Sequence, residues 1–116
     1  MIAWVRDVKA AWAAAAGAAA ALALAAAAAS GQDGTALASQ GKGLFTEQGC
    51  HGCHMVGKMG TPIANDLSQV GSKYSESYLR QWLREPQQQR PRAHMPKIQM
   101  TQADAQALAT YLASLR

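Results

Sequence analysis

Cys50-His51-Gly52-Cys53-His54 is a C-x-x-C-H run. Two thiols at this spacing can each add across a vinyl group of one porphyrin, and the histidine directly after the second thiol then faces the iron. The run reads as a covalent haem site. Other uses of paired cysteines fit less well. A thioredoxin-like redox pair would sit between a strand and a helix of a βαβ unit, and no strand-like alternation of Val, Ile or aromatic residues is visible. Structural zinc needs four ligands, whereas the chain has two Cys and three His, with His94 standing alone. A plain disulfide leaves His54 without a role and closes too short a loop to constrain much chain entropy.

Composition points the same way. Beyond residue 30 there remain 86 residues with one Phe, three Tyr and one Trp. Domains this small rarely bury enough apolar surface to fold without a staple or a cofactor. A porphyrin packed among helices would supply the missing apolar body, so folding and haem attachment are expected to be coupled, with a largely disordered apo form.

Toward the N-terminus, Arg6 and Lys9 precede twenty uncharged residues, Ala10 to Ala29, mostly Ala. A basic start, an apolar stretch and small residues at Ala27-Ala28-Ala29-Ser30 fit a secretory signal peptide, with cleavage expected after Ala29. Twenty uncharged residues can also span a bilayer, so an uncleaved inner-membrane anchor is the alternative; the scarcity of Leu, Ile and Phe speaks against it. A soluble Ala-rich helix is the third reading. In the first two, the positive-inside rule leaves Arg6 and Lys9 in the cytoplasm and exports the remainder to the periplasm. The expected organisation is residues 1–30 as signal peptide or anchor helix and 31–116 as one haem domain.

Within 31–116 the class expected is all-α. Leu37, Leu44 and Phe45 suggest a helix over 35–48 ending at Gly49. Val56 to Gly71 carries Gly57, Gly60, Pro62, Asn65 and Asp66, which is loop chemistry, expected to wrap one haem edge. Ser75 can cap a helix with Tyr78, Leu79, Trp82 and Leu83 on one face and Glu76 paired with Arg80, stopped by Pro86. Pro86, Pro91 and Pro96 predict a stiff, extended stretch. Thr101-x-x-Asp104 reads as a capping box opening a final helix with Leu108, Tyr111, Leu112 and Leu115 on one face.

The residue opposite His54 decides the chemistry. A thioether or second imidazole closes the iron for electron transfer, whereas an open position permits small-molecule binding or oxygen chemistry. Met55 and His51 lie too close to the attachment loop and are expected at the surface. Met59 sits in a loop too short to reach the far face. Met95 lies forty-one positions beyond His54, behind a helix and a Pro-stiffened loop that can carry it round, with Pro96 fixing the backbone after it. It is the favoured ligand; His94, Met100 and Met59 remain alternatives, and Met95 as a core-filling residue is the bland reading. Tyr74, Tyr78 and Trp82 could bond haem propionates, although an aromatic face toward the core is the simpler role.

Taken together, Cys50-His51-Gly52-Cys53-His54, His94-Met95-Pro96, Gly41-x-x-x-Phe45 and Leu108-x-x-Tyr111-Leu112 resemble a small class I cytochrome c over Thr35 to Arg116. The resemblance implies three to four short helices wrapped around one haem c held by Cys50 and Cys53, with His54 and Met95 on the iron. It also implies that Gly41 or Phe45 touches Tyr111, and that the carbonyl of Pro62 accepts a hydrogen bond from the proximal histidine. The function implied is one-electron transfer, with no catalytic residue. The partners implied are redox proteins of the respiratory chain: an oxidase, reductase or dehydrogenase. Tyr78 to Pro86 is similar to segments of cytochromes serving respiratory oxidases and periplasmic dehydrogenases. The competing expectation is a haem enzyme or gas sensor whose distal ligand is displaceable; only His94 offers it a distal polar group.

After Ser30 there are nine Lys or Arg against six Asp or Glu, so nucleic-acid binding is not indicated and membrane contact is expected only through a retained N-terminal segment. Arg80, Arg84, Arg90, Arg92 and Lys97 crowd around the Met95 loop, where they could steer an acidic partner or form an ordinary solvated face. Reversing the charge of Arg90 and Arg92 is expected to slow electron exchange with such a partner at low salt; stopped-flow rates unchanged there would remove the steering role.

Overall fold

The protein's structure, a computed structural model, describes residues 33–116; the signal or anchor expected over 1–30 lies outside them. Residues 33–47 are helical (α1), close to the expected 35–48. The helix stops because Gly49 turns to φ 74°, a left-handed conformation that glycine adopts without a Cβ penalty. The chain then enters a 3-10 turn, Cys50–Gly52, which carries the first half of the C-x-x-C-H run.

Where the sequence reads as loop from Val56 to Gly71, the structure adds two short elements. Met55–Val56 (β1) and Met59–Gly60 (β2) form an antiparallel hairpin around Gly57, which takes φ 59°. Two-residue strands are too short to show alternation, which is why none was visible. Val70–Lys73 is a single helical turn (α2). The two longer helices match the sequence expectation. In Glu76–Arg84 (α3) the hydroxyl of Ser75 accepts from the Tyr78 amide at 3.2 Å, capping the start. In Gln102–Ala113 (α5) the Thr101–Asp104 capping box is complete in both directions.

Two expectations need correction. The stretch after Pro86 is not extended from its start: Pro86–Gln89 is one helical turn (α4) with Pro86 at its first position, where a fixed φ and a missing N–H carry no penalty. Glu76 and Arg80 do not pair along α3 either. Both reach α5 instead: Arg80 donates to Gln106 Oε1 at 2.8 Å, and Glu76 accepts from Gln106 and, at 3.0 Å, from Thr110 Oγ1. A tertiary partner displaces the local pair because α3 packs along α5.

The core consists of Phe45 from α1, Val70 from α2, Leu79 and Leu83 from α3, and Leu108, Ala109, Tyr111 and Leu112 from α5. The crossing of α1 over α5 leaves no room for a side chain at Gly41. A methyl group on Gly41 would overlap the Ala107 carbonyl oxygen and sit 2.7 Å from Tyr111 Cβ. One turn on, Phe45 meets Tyr111 edge to face at 5.8 Å. Both contacts implied by the family resemblance are present. Among the described residues no helix is long and apolar enough to cross a membrane.

Gly41→Ala is therefore expected to lower stability by about 2–4 kcal/mol, because two helices must separate to admit the methyl. Gly43→Ala, on the same helix with nothing within 4 Å of the added carbon, is expected to raise it by roughly 0.5–1 kcal/mol. Denaturant unfolding of the two variants checks both signs.

Candidate functional site

Helix α1 delivers the two thiols. Cys50, at the start of the 3-10 turn, is half-buried against the core, and Cys53 is exposed. Both are free, so the plain disulfide does not form. Burial pushes the Cys50 thiol pKa upward. Between them His51 packs edge-on against Phe45 at 4.7 Å, tying the attachment turn to α1. Its Nδ1 is buried without a hydrogen-bond partner. The covering strand β2 comes very close: Gly60 takes φ 116°, and a Cβ there would overlap the His54 carbonyl oxygen and lie 3.2 Å from His51 Nδ1. His51 is thus half-buried, as is Met55 in β1, and neither is the surface residue the sequence suggested.

His54 Nδ1 lies 2.7 Å from the carbonyl oxygen of Asn65. A carbonyl can only accept, so the proton sits on Nδ1 and Nε2 is left with its lone pair free for a metal. This partner corrects the expectation that Pro62 supplies the carbonyl. The reason is backbone register. Ala64 N donates to Cys53 O at 2.7 Å and Leu67 N to Met55 O at 2.9 Å, so residues 64–67 run beside 53–55 and present Asn65, whereas Pro62 lies earlier in the loop and is exposed. Asp66 and Ser68 brace the turn: the Ser68 amide donates to Asp66 Oδ1 at 2.8 Å, and Ser68 Oγ accepts from Gly57 N at 2.7 Å. Hydrogen bonds from the Ser68 hydroxyl and, next, its amide hold the Asp66 carboxyl below its usual value.

Met95 comes from the other side of the molecule's sequence, in the irregular stretch after α4. It is half-buried and packs against the core. Trp82 Nε1 donates to its sulfur at 3.0 Å. Trp82 ends a row of rings along α3, Tyr74 on Tyr78 at 4.7 Å and Tyr78 on Trp82 at 6.4 Å. The alternatives to Met95 are placed differently. Met59 is 67% exposed on the hairpin, His94 is exposed, and Met100 is half-buried against the core ahead of α5. Of the five cations around this loop, Lys97 pairs with Glu85 at 2.7 Å and Arg80 is bonded to Gln106, while Arg84, Arg90 and Arg92 have no side-chain partner among the described residues.

The donor set fits a haem c: free thiols at Cys50 and Cys53, an imidazole locked in the tautomer that exposes Nε2, and a thioether at Met95. Among the described residues no three His, Cys, Asp or Glu side chains group to hold a metal ion. Asn65 was missed as a site residue in the sequence, and Trp82 was read there as a propionate or core residue rather than as a partner of Met95. The first acts through its backbone, which side-chain identity does not report; the second could have been suspected from its place in the helix leading to the Met95 loop.

A small helical fold holding one attachment motif of this kind defines a c-type haem protein. The chain belongs to the cytochrome c family, whose model, described as Cytochrome c, matches residues 38–116. It is also 34% identical over 89 residues to cytochrome c oxidase subunit 2 of Alkalihalophilus pseudofirmus, a match covering 69% of this chain and 26% of that protein. The chain thus spans about a quarter of that relative's length. No solved structure matches. Family membership brings with it haem c, its iron, and haem-based electron transfer as the class of function.

Asp66 gives the site a signed pH dependence. Its folded pKa is depressed below 3.8, so the stabilisation it contributes is present above that value and is lost as pH falls through the folded pKa. The stability difference between the parent and Asp66→Asn, followed by acid unfolding, is expected to be constant near neutrality and to shrink below about pH 4.

Proposed function

We propose that residues 31–116 form an exported, periplasmic electron-transfer domain, a free carrier or the haem-bearing part of a respiratory complex, in which His54 and Met95 would hold the haem iron. Cys50 and Cys53 would hold the haem through two thioethers, each formed by addition of S–H across a vinyl group. Bound haem would supply a one-electron couple between ferrous and ferric iron. What this chain's residues contribute is ligand identity, orientation and electronic tuning, and no side chain is required to move a proton or break a bond.

The observation that carries the reading is the Trp82–Met95 contact. A thioether sulfur has two lone pairs, so one can bind iron while the other accepts from the indole N–H. With haem bound, that hydrogen bond would withdraw electron density from the sulfur and so favour the ferrous state. On the opposite side, Asn65 keeps the His54 ring in one orientation and raises its basicity. Two side chains each held in place by a hydrogen bond, His54 by Asn65 and Met95 by Trp82, would favour rapid electron exchange, because little has to reorganise. The oxidase-subunit match supports a respiratory oxidase as the redox partner. Arg84, Arg90 and Arg92, without a side-chain partner among the described residues, support an acidic docking face on it.

The far-red spectrum of the ferric full-length holoprotein is the test. A weak sulfur-to-iron charge-transfer band is expected in the parent and should vanish in Met95→Ala; Trp82→Phe should keep the band and lower the reduction potential. A parent without the band, or one whose ferrous form binds carbon monoxide at neutral pH, would replace this reading with a haem enzyme or gas sensor having an open distal side.

A further inference from the structure

We propose that Gln87 is a positioning residue: it latches the loop carrying Met95 and thereby sets how firmly the sulfur stays on the iron. The inference rests on the His54/Met95 reading. Gln87 follows Pro86 in α4, and its side-chain amide has two N–H donors. Nε2 donates to the Met95 carbonyl at 2.9 Å and to the Ala93 carbonyl at 3.3 Å, so one amide grips alternate carbonyls on either side of His94.

The loop has little else to hold it. Among the backbone hydrogen bonds of the described residues, none involves residues 94–100; the last before α5 joins Ala93 N to Arg90 O. Beyond the packing of Met95 and Met100 against the core, its polar contacts come from side chains of residues 82–87: Trp82 on the Met95 sulfur, Glu85 on Lys97, and Gln87 on the backbone. The Glu85–Lys97 pair is solvent-exposed and weakened by salt. The Gln87 bonds are neutral and salt-independent. The mount is rigid as well, since Pro86 is fully buried and its carbonyl accepts from Arg90 N at 3.0 Å. Gln87 therefore projects from a fixed point onto a segment with no backbone pairing of its own.

The consequence is a ligand equilibrium. An external ligand reaches the iron only in the fraction of molecules in which Met95 has left, and its apparent affinity scales with that fraction. Losing two neutral hydrogen bonds should enlarge the fraction about tenfold.

Imidazole titration of the ferric full-length holoprotein, read by its visible spectrum, tests this on the parent, Gln87→Ala, Gln87→Glu and Gln88→Ala. Gln87→Glu keeps the side-chain length but at neutral pH offers no donor, so it stands in should the alanine variant fold poorly. Both Gln87 variants are expected to bind imidazole about tenfold more tightly than the parent and to show a weaker far-red band. Gln88→Ala, one residue along the same turn, is expected to match the parent. If the parent shows the band and both Gln87 variants bind imidazole as the parent does, even with a lowered unfolding midpoint, Gln87 is merely structural and the proposal fails. If the parent lacks the band, the Met95 reading itself fails first.

Discussion

Between Gly41 of α1 and Ala107 and Tyr111 of α5 there is no room for a methyl group, and much of the site's geometry depends on that approach. It fixes where α1 ends, and the attachment turn begins three residues after the helix does. Phe45, one turn further along, packs on Tyr111 and on His51. A displacement of α1 would therefore move the thiols relative to the core. The hairpin then closes over the same turn, with Gly60 against the His54 carbonyl. Backbone packing thus places the proximal half of the site.

The distal half is held differently. Helix α3 lies on α5 through Leu79 and Leu83, and side chains at its C-terminal end and in α4 reach out to Met95 and its neighbours. Bonds from side chains to a loop are individually worth about 1 kcal/mol, far less than burying a core side chain. The two halves should differ in how readily they open. The half that carries Cys50 and Cys53 is built into the fold, and the half that carries Met95 is tied on.

The sequence made the attachment motif, both long helices and their caps legible because each is encoded locally. Thiol spacing is a covalent constraint, and Ser75 and Thr101 cap through residues three positions away. What was illegible depends on distant chain. Asn65 rather than Pro62 faces His54 because two backbone bonds set the register of 64–67 against 53–55, and no side chain advertises that. Glu76 turned from Arg80 to Thr110 because α5 offered partners thirty-four residues away. The single turns Val70–Lys73 and Pro86–Gln89 are too short to show helical periodicity.

The small core also bears on why a haem would matter to this fold. Ile63 is 74% and Met59 67% exposed, both on the segment that follows the attachment motif, and Cys50, Val56, Leu67, Met95 and Met100 are only partly buried against the core. Apolar surface left at the edge of a core gains stability when a large apolar body covers it, at roughly 25 cal/mol for each Å² removed from water. The partly buried residues come from both the attachment segment and the Met95 loop. A planar group tethered at Cys50 and Cys53 and touching Met95 would join the half fixed by backbone packing to the half tied by side chains. Cofactor binding and consolidation of the Met95 loop would then be one event, which would tie the stability of the domain to the contacts proposed to tune its redox chemistry.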